Sequence, residues 1–434
     1  DAVPKALRED PTYLFARVQK LRRAAKHQEA AAILKAAPSD VAALVDGDAW
    51  WDERKMIARK LLDAGEPQLA YEVAAGHSAT GAESLIEAEF HAGWIALRFL
   101  DRPAPALAHF ARAAESASTP ISQARAWYWQ ARAAELGEDP DDAQRLYSLA
   151  ADHSSVYYGQ LARARLGYAD QPVRRAAEAA EDDQRIEAVR AVELFESIGE
   201  KDLAFRLTVD LAREITDDRQ IAALGHVLTR AKDARATLIV GKLAAQRGVA
   251  LDDIAFPTFG IPKFEKLERS AEMPVVYAIA RQESAFQAQA ASHAGAKGLM
   301  QMLPSTARRT AQRAGVPFDE KRLLQDPAFN AMLGAAHLSE LMDEHGQSLI
   351  LTFAAYNAGG HRVKQWIAAY GDPRKPDVDP IDWIERIPFT ETRNYVQRVV
   401  ENLGMYRARF GADDAPRLVV KDLRARDVRL ARAP

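Results

Sequence analysis

The sequence MPVVYAIARQES, residues 273–284, predicts a buried helix that ends at a carboxylate. Val275 and Ile279 belong to an apolar run that leaves this helix little polar surface, so we expect it to lie inside a folded domain. A carboxyl group one turn beyond such a run is expected to be partly desolvated, which raises its pKa as a general acid requires. Taken alone, these residues favour a plainer interpretation, in which Glu283 ends the helix at the surface and pairs with Arg281.

A glycine-containing loop and a second helix follow in the same part of the chain. The sequence SHAGAKGLMQ, residues 292–301, contains two glycines, which let the backbone approach another group closely. Pro304 or Ser305 is expected to begin a helix that continues through residue 313. Such a loop can bring the backbone close to a ligand, and it therefore strengthens the interpretation of Glu283 as a functional residue.

Further polar side chains are predicted at the ends of later helices. The sequence AAYNAGG, residues 354–360, predicts that an apolar helix ends at the glycine pair. The sequence PFTETRNY, residues 388–395, predicts the start of another helix with Thr390 as its N-cap. Glu391 and Tyr395 are four residues apart and therefore lie on one helix face.

Composition limits the class of protein. The chain has 434 residues, a net charge of −3 and no cysteine. Without a basic excess, nucleic acid is not expected as a partner, and without cysteine there is no disulfide framework or thiolate metal site. No apolar run of about 18 residues occurs, so no transmembrane helix is expected. Because the chain begins at Asp1 rather than at methionine, it is expected to be a processed protein with its signal peptide removed, or a trimmed chain.

The N-terminal part of the chain predicts a stack of helical hairpins. Apolar residues recur at spacings of three and four through the first 250 residues, which is the helical period. Breaks rich in glycine or proline occur at 65–67, 101–103, 137–140 and 199–200, and the first three begin 36 residues apart. A helical hairpin cannot bury its apolar face alone, so neighbouring hairpins are expected to stack as in tetratricopeptide-like repeats.

Clusters of aromatic residues in this region allow two interpretations. Trp50-Trp51 and Trp127-Tyr128-Trp129 could stack on sugars or bases, or they could fill the contacts between successive hairpins. The second interpretation is favoured, since large rings dominate core contacts in general.

A change in amino-acid composition marks the start of a C-terminal domain. Residues 251–266 carry prolines, aromatics and a glycine that cannot continue a helix, so this segment is expected to be a linker. The residues that follow, 264–434, have a suitable number for one compact domain.

Four sequence blocks in this last domain resemble the soluble lytic transglycosylases of bacterial cell-wall metabolism. In order along the chain they are RQESAF (281–286), GLMQ (298–301), AYNAG (355–359) and ETR with the nearby Tyr395 (391–395). The stretch YYGQL (157–161) adds to the likeness. The resemblance implies an all-α fold, with an N-terminal α-superhelical region followed by a lysozyme-like domain of the goose type. It implies an α-superhelical, U-shaped repeat domain over 1–180, a helical linker domain over 181–263 and a catalytic domain over 264–434.

The resemblance also implies roles for individual residues. Glu283 corresponds to the family's single catalytic carboxyl group. The residues expected to bind substrate or organise the site are Ser292, Met300, Gln301, Tyr356, Asn357, Glu391 and Tyr395.

Some positions depart from the family pattern. Phe286, Gln287 and Ala288 follow the Glu-Ser pair where relatives have Trp, Asn and Pro. Leu303 replaces a methionine, and His337 stands where an aromatic residue is common. These changes bear on subsite preference rather than on the reaction.

The implied reaction is a non-hydrolytic cleavage of peptidoglycan glycan strands. Glu283 would protonate the oxygen between N-acetylmuramic acid and N-acetylglucosamine, and then take the proton of the muramic C6 hydroxyl as a 1,6-anhydro ring forms. Ordinary glycoside hydrolysis uses two carboxyl groups instead. Two alternatives stay open: a hydrolase of peptidoglycan or chitin, as goose-type lysozymes are, and a helical scaffold with a vestigial enzyme domain.

Partners and location follow from the same resemblance. Glycan strands are the expected partner, other cell-wall enzymes are a further possibility through the helical region, and the expected compartment is the periplasm. No cofactor is expected. His337, Glu340, Glu344 and His345 cluster on one predicted helix, but such pairs are common on solvated helix faces and a metal needs a closed donor set. The basic residues from Arg417 to Arg432 are interpreted as a solvated tail or returning helix, with anionic cell wall as the alternative contact.

Overall fold

The computed structural model describes residues 4, 7–38, 40–168, 172–175, 178–411 and 423. The basic stretch from Arg417 to Arg432 lies outside this described part. The chain divides into two compact units, Asp1–His153 and Ser154–Pro434. The domain boundaries expected at residues 180 and 263 stay predictions.

The first unit is a succession of helices joined by short turns. Their bounds are α1 Pro11–Arg23, α2 His27–Ala36, α3 Val41–Leu44, α4 Gly47–Asp63, α5 Pro67–Ala75, α6 Ala82–Phe99, α7 Pro103–Ser116, α8 Pro120–Leu136 and α9 Pro140–Ala151. Helices from α4 to α9 each pack against the next one along the chain, as hairpin repeats require. Proline begins α5, α7 and α9, where its missing N–H costs no helical bond. The breaks predicted at 65–67, 101–103 and 137–140 are therefore confirmed.

Aromatic side chains hold the repeats of the first unit together. Trp51 and Trp129 are fully buried, and Phe90 packs against both Phe110 and Trp129. A Cβ at Gly93 would lie 2.8 Å from the Phe110 ring, so glycine is needed for α6 and α7 to approach this closely. The interpretation of the aromatic clusters as contacts between hairpins is confirmed for these buried rings.

The second unit begins with a layer of helices around an apolar core. Their bounds are α10 Tyr157–Arg165, α11 Glu187–Ser197, α12 Lys201–Glu214, α13 Asp218–Arg230, α14 Ala234–Gln246 and α15 Asp252–Ala255. Val189, Leu224 and Val240 belong to one buried cluster of this layer. Gly225 and Gly241 let α15 approach α13 and α14, because a Cβ at either position would overlap Ile254 or Ala255.

The rest of the second unit is built around one long helix. The bounds are α16 Met273–Glu283, α17 Pro304–Arg313, α18 Arg322–Gln325, α19 Pro327–Glu344, α20 Leu349–Ala358, α21 Gly360–Tyr370, α22 Pro380–Arg386 and α23 Thr390–Arg409. Helix α23 packs against α10, α16, α20 and α22. The helices predicted to end at Glu283, to begin at Pro304 and to end before Gly359 are confirmed.

One predicted helix cap is wrong by one position. Helix α23 begins at Thr390 itself, and Phe389 is its N-cap residue. The Thr390 hydroxyl instead accepts a hydrogen bond from Arg393 at 3.4 Å. No side chain caps this helix start, so the signal of a capping threonine missed the observed position by one residue.

Regular secondary structure in the described ranges is helical. Between residues 291 and 302 two isolated bridges pair Ala291 with Lys297 and Lys297 with Met302. Within the part of the chain that the structure describes, no helix has the length and apolar character needed to span a membrane.

Candidate active site

Glu283 lies at the end of α16, where the chain turns sharply. The helix stops because Ser284 caps it, and the Ser284 hydroxyl donates to the Leu299 carbonyl at 2.8 Å. Ala285 and Phe286 both adopt positive φ values, which ends any continuation of the helix. Glu283 is therefore fixed at the boundary between a buried helix and the loop that contains Leu299.

The Glu283 carboxyl group is partly buried and accepts a hydrogen bond from a tyrosine. The pKa of Glu283 is raised to about 7, chiefly by burial and to a smaller extent by the nearby charge of Glu391. The Tyr395 hydroxyl donates to Glu283 Oε1 at 2.6 Å, which opposes this shift by favouring the ionised form. A carboxyl group with such a pKa exchanges its proton near neutral pH, as acid–base catalysis requires.

A tight loop from 290 to 302 lies next to this helix end. The Gly298 N–H donates to the Ala290 carbonyl at 2.8 Å, and Gln301, at φ 45°, donates from Nε2 to the carbonyls of Ala290 and Gly298 at 3.0 and 2.9 Å. Gln301 therefore closes the loop on itself. The loop conformation is fixed before any ligand arrives.

Asn330 anchors the same loop from helix α19. Its Nδ2 donates to the Lys297 carbonyl at 2.9 Å, and its Oδ1 accepts from the Met300 N–H at 2.8 Å. Asn330 is fully buried among apolar residues of α19, and a buried amide requires partners of this kind. A polar residue within the apolar pattern of residues 327–341 was the sequence signal that could have identified it.

Tyr356 lies between the loop and the carboxyl group. Its hydroxyl donates to the Met300 carbonyl at 2.6 Å. Burial, and next the charge of Glu283, raise the pKa of Tyr356 well above its ordinary value, so the hydroxyl stays protonated. The Met300 side chain is fully buried, so we expect Met300 to contribute through its carbonyl rather than by touching a ligand.

The ends of helices α20 and α23 meet beside Glu283. The Thr392 hydroxyl donates to Asn357 Oδ1 at 2.7 Å, which joins the last turn of α20 to the first turn of α23. Glu391, one residue earlier, is exposed to solvent. Thr392 belongs to the ETR block of the sequence, but it was not predicted as a site residue.

Among the predicted site residues, Met300, Gln301 and Asn357 take part in the loop and helix contacts described above. Glu283, Tyr356, Glu391 and Tyr395 interact directly through bonds or charge. Ser292 lies in an exposed turn, where its hydroxyl accepts from the Ala296 N–H at 3.0 Å.

His337 of α19 contacts a carboxylate of its own helix and a tyrosine of α20. His337 Nδ1 lies 3.4 Å from Glu340 Oε2, and the His337 ring packs on Tyr356 with centroids 5.7 Å apart. Over the described ranges, no group of three or more His, Cys, Asp or Glu side chains is placed to hold a metal ion.

The raised pKa of Glu283 makes a prediction about stability. Below pH 4.5 the carboxyl is protonated in both states, and between 4.5 and about 7 the unfolded chain ionises first, so folding loses stability as pH rises. Glu283→Gln removes this penalty, so its unfolding free energy relative to wild type is expected to rise by about 3 kcal/mol between pH 4 and pH 8. Denaturant unfolding of both proteins at the two pH values measures it. An equal difference at both pH values would contradict the raised pKa.

The fold and the site together define a class of protein, in which an all-α, lysozyme-like domain follows a series of helical repeats. Residues 262–377 match the family model of the Transglycosylase SLT domain. This match confirms the resemblance to that family, and three of the four sequence blocks lie within the matched residues.

Curated relatives match part of the chain. The soluble lytic murein transglycosylase of Escherichia coli K12 is 36% identical over 167 residues, which cover 38% of this chain and 25% of the relative. The protein of the same name from Salmonella typhimurium LT2 is 34% identical over 163 residues, with 37% and 25% covered. The chain thus matches about a quarter of the length of these relatives.

Solved structures extend the likeness over nearly the whole chain. An inactive mutant of the lytic transglycosylase Slt from Pseudomonas aeruginosa gives a TM-score of 0.67 at 25% identity and covers 97% of this chain and 71% of that one. The 70 kDa soluble lytic transglycosylase from Escherichia coli gives a TM-score of 0.56 at 20% identity, covering 96% and 75%, and shows the fold alone. The expected fold class is confirmed.

Proposed function

We propose that this protein cleaves peptidoglycan glycan strands between N-acetylmuramic acid and N-acetylglucosamine without adding water. The observation that carries the proposal is the partly buried carboxyl group of Glu283, with its pKa raised to about 7 and a tyrosine hydroxyl at 2.6 Å. The SLT domain match over residues 262–377 supports the same reaction class.

In the first step Glu283 acts as an acid. Its proton passes to the glycosidic oxygen, the bond from that oxygen to C1 of the muramic residue breaks, and the N-acetylglucosamine side leaves as an alcohol. An oxocarbenium-like centre develops at C1, with the acetamido group of the same sugar able to share the charge. Burial keeps enough Glu283 protonated at neutral pH for this step.

In the second step the ionised Glu283 acts as a base. The C6 hydroxyl of the muramic residue attacks C1, and its proton returns to Glu283, which closes the 1,6-anhydro ring and restores the starting carboxyl. The attacking hydroxyl belongs to the substrate, so its proximity replaces a positioned water and a second carboxylate. One carboxyl group is therefore sufficient.

The surrounding residues organise this carboxyl group and its substrate. Tyr395 orients Glu283 and favours its ionised form between the two steps. Tyr356 and Gln301 fix the loop and present polar edges to the sugar, with Ser292 farther along the same loop. Glu391 adds negative charge near the developing positive centre.

The masses of the released muropeptides test the proposal. Purified peptidoglycan digested by the protein is expected to give products that are lighter by one water than the products of a hydrolytic muramidase run in parallel. Products of hydrolytic mass would instead assign the protein to the hydrolases and call for a second catalytic group. No release at all would favour the scaffold interpretation.

Location and partners are part of the same proposal. Peptidoglycan lies outside the cytoplasmic membrane, so we place the activity in the periplasm. A role of the first unit in recruiting other cell-wall enzymes stays a prediction. The burial of Trp51 and Trp129 supports their role in packing rather than in binding sugar.

A further inference from the structure

Helix α10 packs against the central helix of the candidate active site, although it precedes the SLT domain by about 100 residues in the sequence. Its first five residues, 157–161, are all buried. This is the YYGQL stretch, which has no part in the reaction as described above. Its contacts with α23 lie within the second unit.

The N-terminal end of α10 is joined to Glu401 of α23. The Tyr157 N–H donates to Glu401 Oε2 at 2.9 Å, and Gln160 Nε2 donates to the Glu401 carbonyl at 3.0 Å. Gly404 makes room for this approach, because a Cβ there would overlap the Gln160 side-chain amide. The two helices are therefore fixed in register.

The same part of α23 is joined to the helix that carries Glu283. Asn402, next to Glu401, accepts a hydrogen bond at Oδ1 from Arg281 Nη1 at 2.7 Å. Arg281 is buried and lies two residues before Glu283 on α16. Contacts thus run from α10 through α23 to α16.

Tyr158 makes a second connection, close to Tyr395. Its hydroxyl donates to Glu385 Oε1, and Gln397 Nε2 donates to the same carboxylate at 2.7 Å and to the Tyr158 hydroxyl at 3.3 Å. Arg393 Nε lies 3.9 Å from Glu385 Oε2. All these groups are buried, and a buried network of this kind fixes its members because an unpaired charge there is costly.

Two members of the network flank, in the sequence of α23, the residue that donates a hydrogen bond to the Glu283 carboxyl group. Arg393 and Gln397 lie two residues before and two residues after Tyr395 on α23. A shift of α23 in this turn would move the Tyr395 hydroxyl relative to Glu283. Small displacements of such groups change catalytic rates strongly.

We propose that Tyr158 is a positioning residue of this active site, which acts through Glu385 and Gln397 to hold Tyr395 against Glu283. The proposal rests on the function proposed above. Helix α10 lies outside residues 262–377, which match the SLT domain model. The proposal therefore assigns a role in this active site to a segment that the match does not cover.

Tyr158→Phe is expected to affect the reaction in a specific way. The groups that face Glu283 are Tyr395 and Glu391 from α23 and Tyr356 from α20. A weaker bond from Tyr395 removes stabilisation of the carboxylate, so the pKa of Glu283 rises. The fall of kcat at high pH then moves upward by about 0.5 pH unit, and the plateau kcat falls about tenfold with KM unchanged.

The experiment uses the full chain and a matched control. Tyr147 in α9 is also buried and donates its hydroxyl to Glu135 at 2.9 Å, but it lies in the first unit, so Tyr147→Phe removes an equivalent bond elsewhere. Rates on soluble glycan strands are measured against pH for wild type and both variants. The Glu283 carboxyl is titrated directly by carbon NMR, with its signal assigned by its loss in Glu283→Gln.

The proposal is supported if Tyr158→Phe shifts both the rate profile and the carboxyl titration to higher pH, while Tyr147→Phe shifts neither. It also requires that the double variant Tyr395→Phe, Tyr158→Phe shows no larger shift than Tyr395→Phe alone. An unchanged titration in Tyr158→Phe, or the same shift in Tyr147→Phe, overturns it. If Tyr158→Phe does not fold, Gln397→Met removes the connection from the α23 side and decides by the same criteria. Failure of the wild type to cleave glycan would sink the proposed function, while the NMR titration would still decide the positioning role.

Discussion

Glu283→Gln is expected to reduce glycan cleavage by about three orders of magnitude or more while leaving the fold intact. Glutamine has nearly the same shape and can still accept the hydrogen bond from Tyr395, but it can neither donate the acid proton nor accept the proton of the C6 hydroxyl. A positioned acid or base contributes roughly 10²- to 10⁴-fold, and this substitution removes both roles at once. Rates of muropeptide release from purified peptidoglycan measure the loss.

Glu391→Gln provides a comparison for this substitution. Glu391 is exposed and acts on Glu283 through its charge, so its replacement is expected to cost about tenfold or less. Circular dichroism and thermal unfolding of both variants establish that they are folded. If Glu283→Gln kept more than about a tenth of the activity, Glu283 could not be the group that transfers the proton.

Gly298→Ala is expected to cost about 3 kcal/mol or more of unfolding free energy and to abolish most activity. Gly298 has φ +78°, and a Cβ there would overlap Asn330 Nδ2 and the Leu323 carbonyl oxygen. Positive φ and overpacking each contribute about 1–3 kcal/mol. Asn330 also anchors the Met300 N–H, so moving it disturbs the carbonyl that accepts from Tyr356.

Gly295→Ala is the matched control in the same loop. Gly295 has φ +82°, but a Cβ there would meet no atom within 4 Å. Its replacement therefore carries the backbone strain without the overlap, and it is expected to cost about 1 kcal/mol and to leave the reaction nearly unchanged. Denaturant unfolding and cleavage rates of the two variants give the comparison. Equal losses in both would show that the contact with Asn330 does not determine the loop conformation.

Local signals in the sequence predicted three helix ends: the end of α16 at Glu283, the start of α17 at Pro304 and the end of α20 before Gly359. Each of these helix ends depends on residues within a turn of it, namely an apolar run, a proline in the first turn or a glycine after the last. The start of α23 was predicted one residue away from its observed position, because Thr390 is already part of the helix and Phe389, which makes no side-chain cap bond, occupies the cap position. Helical breaks in the repeats were predictable for the same local reason.

Contacts between distant segments could not be predicted in this way. Tyr158 and Glu385 are 227 residues apart in sequence, and periodicity carries no information about such a pair. The burial of the Met300 side chain depends on Gly334 of α19, whose missing Cβ leaves space for it. The bond between Tyr395 and Glu283 likewise depends on how α16 packs on α23.

Digestion of peptidoglycan in water enriched in oxygen-18 tests the central claim most directly. If the muramic C6 hydroxyl closes the ring, the new muramic ends contain no oxygen-18, and these ends are absent when Glu283→Gln is used. Oxygen-18 at C1 of the released muramic ends would show that water had attacked, and would contradict cleavage by a single carboxyl group without hydrolysis.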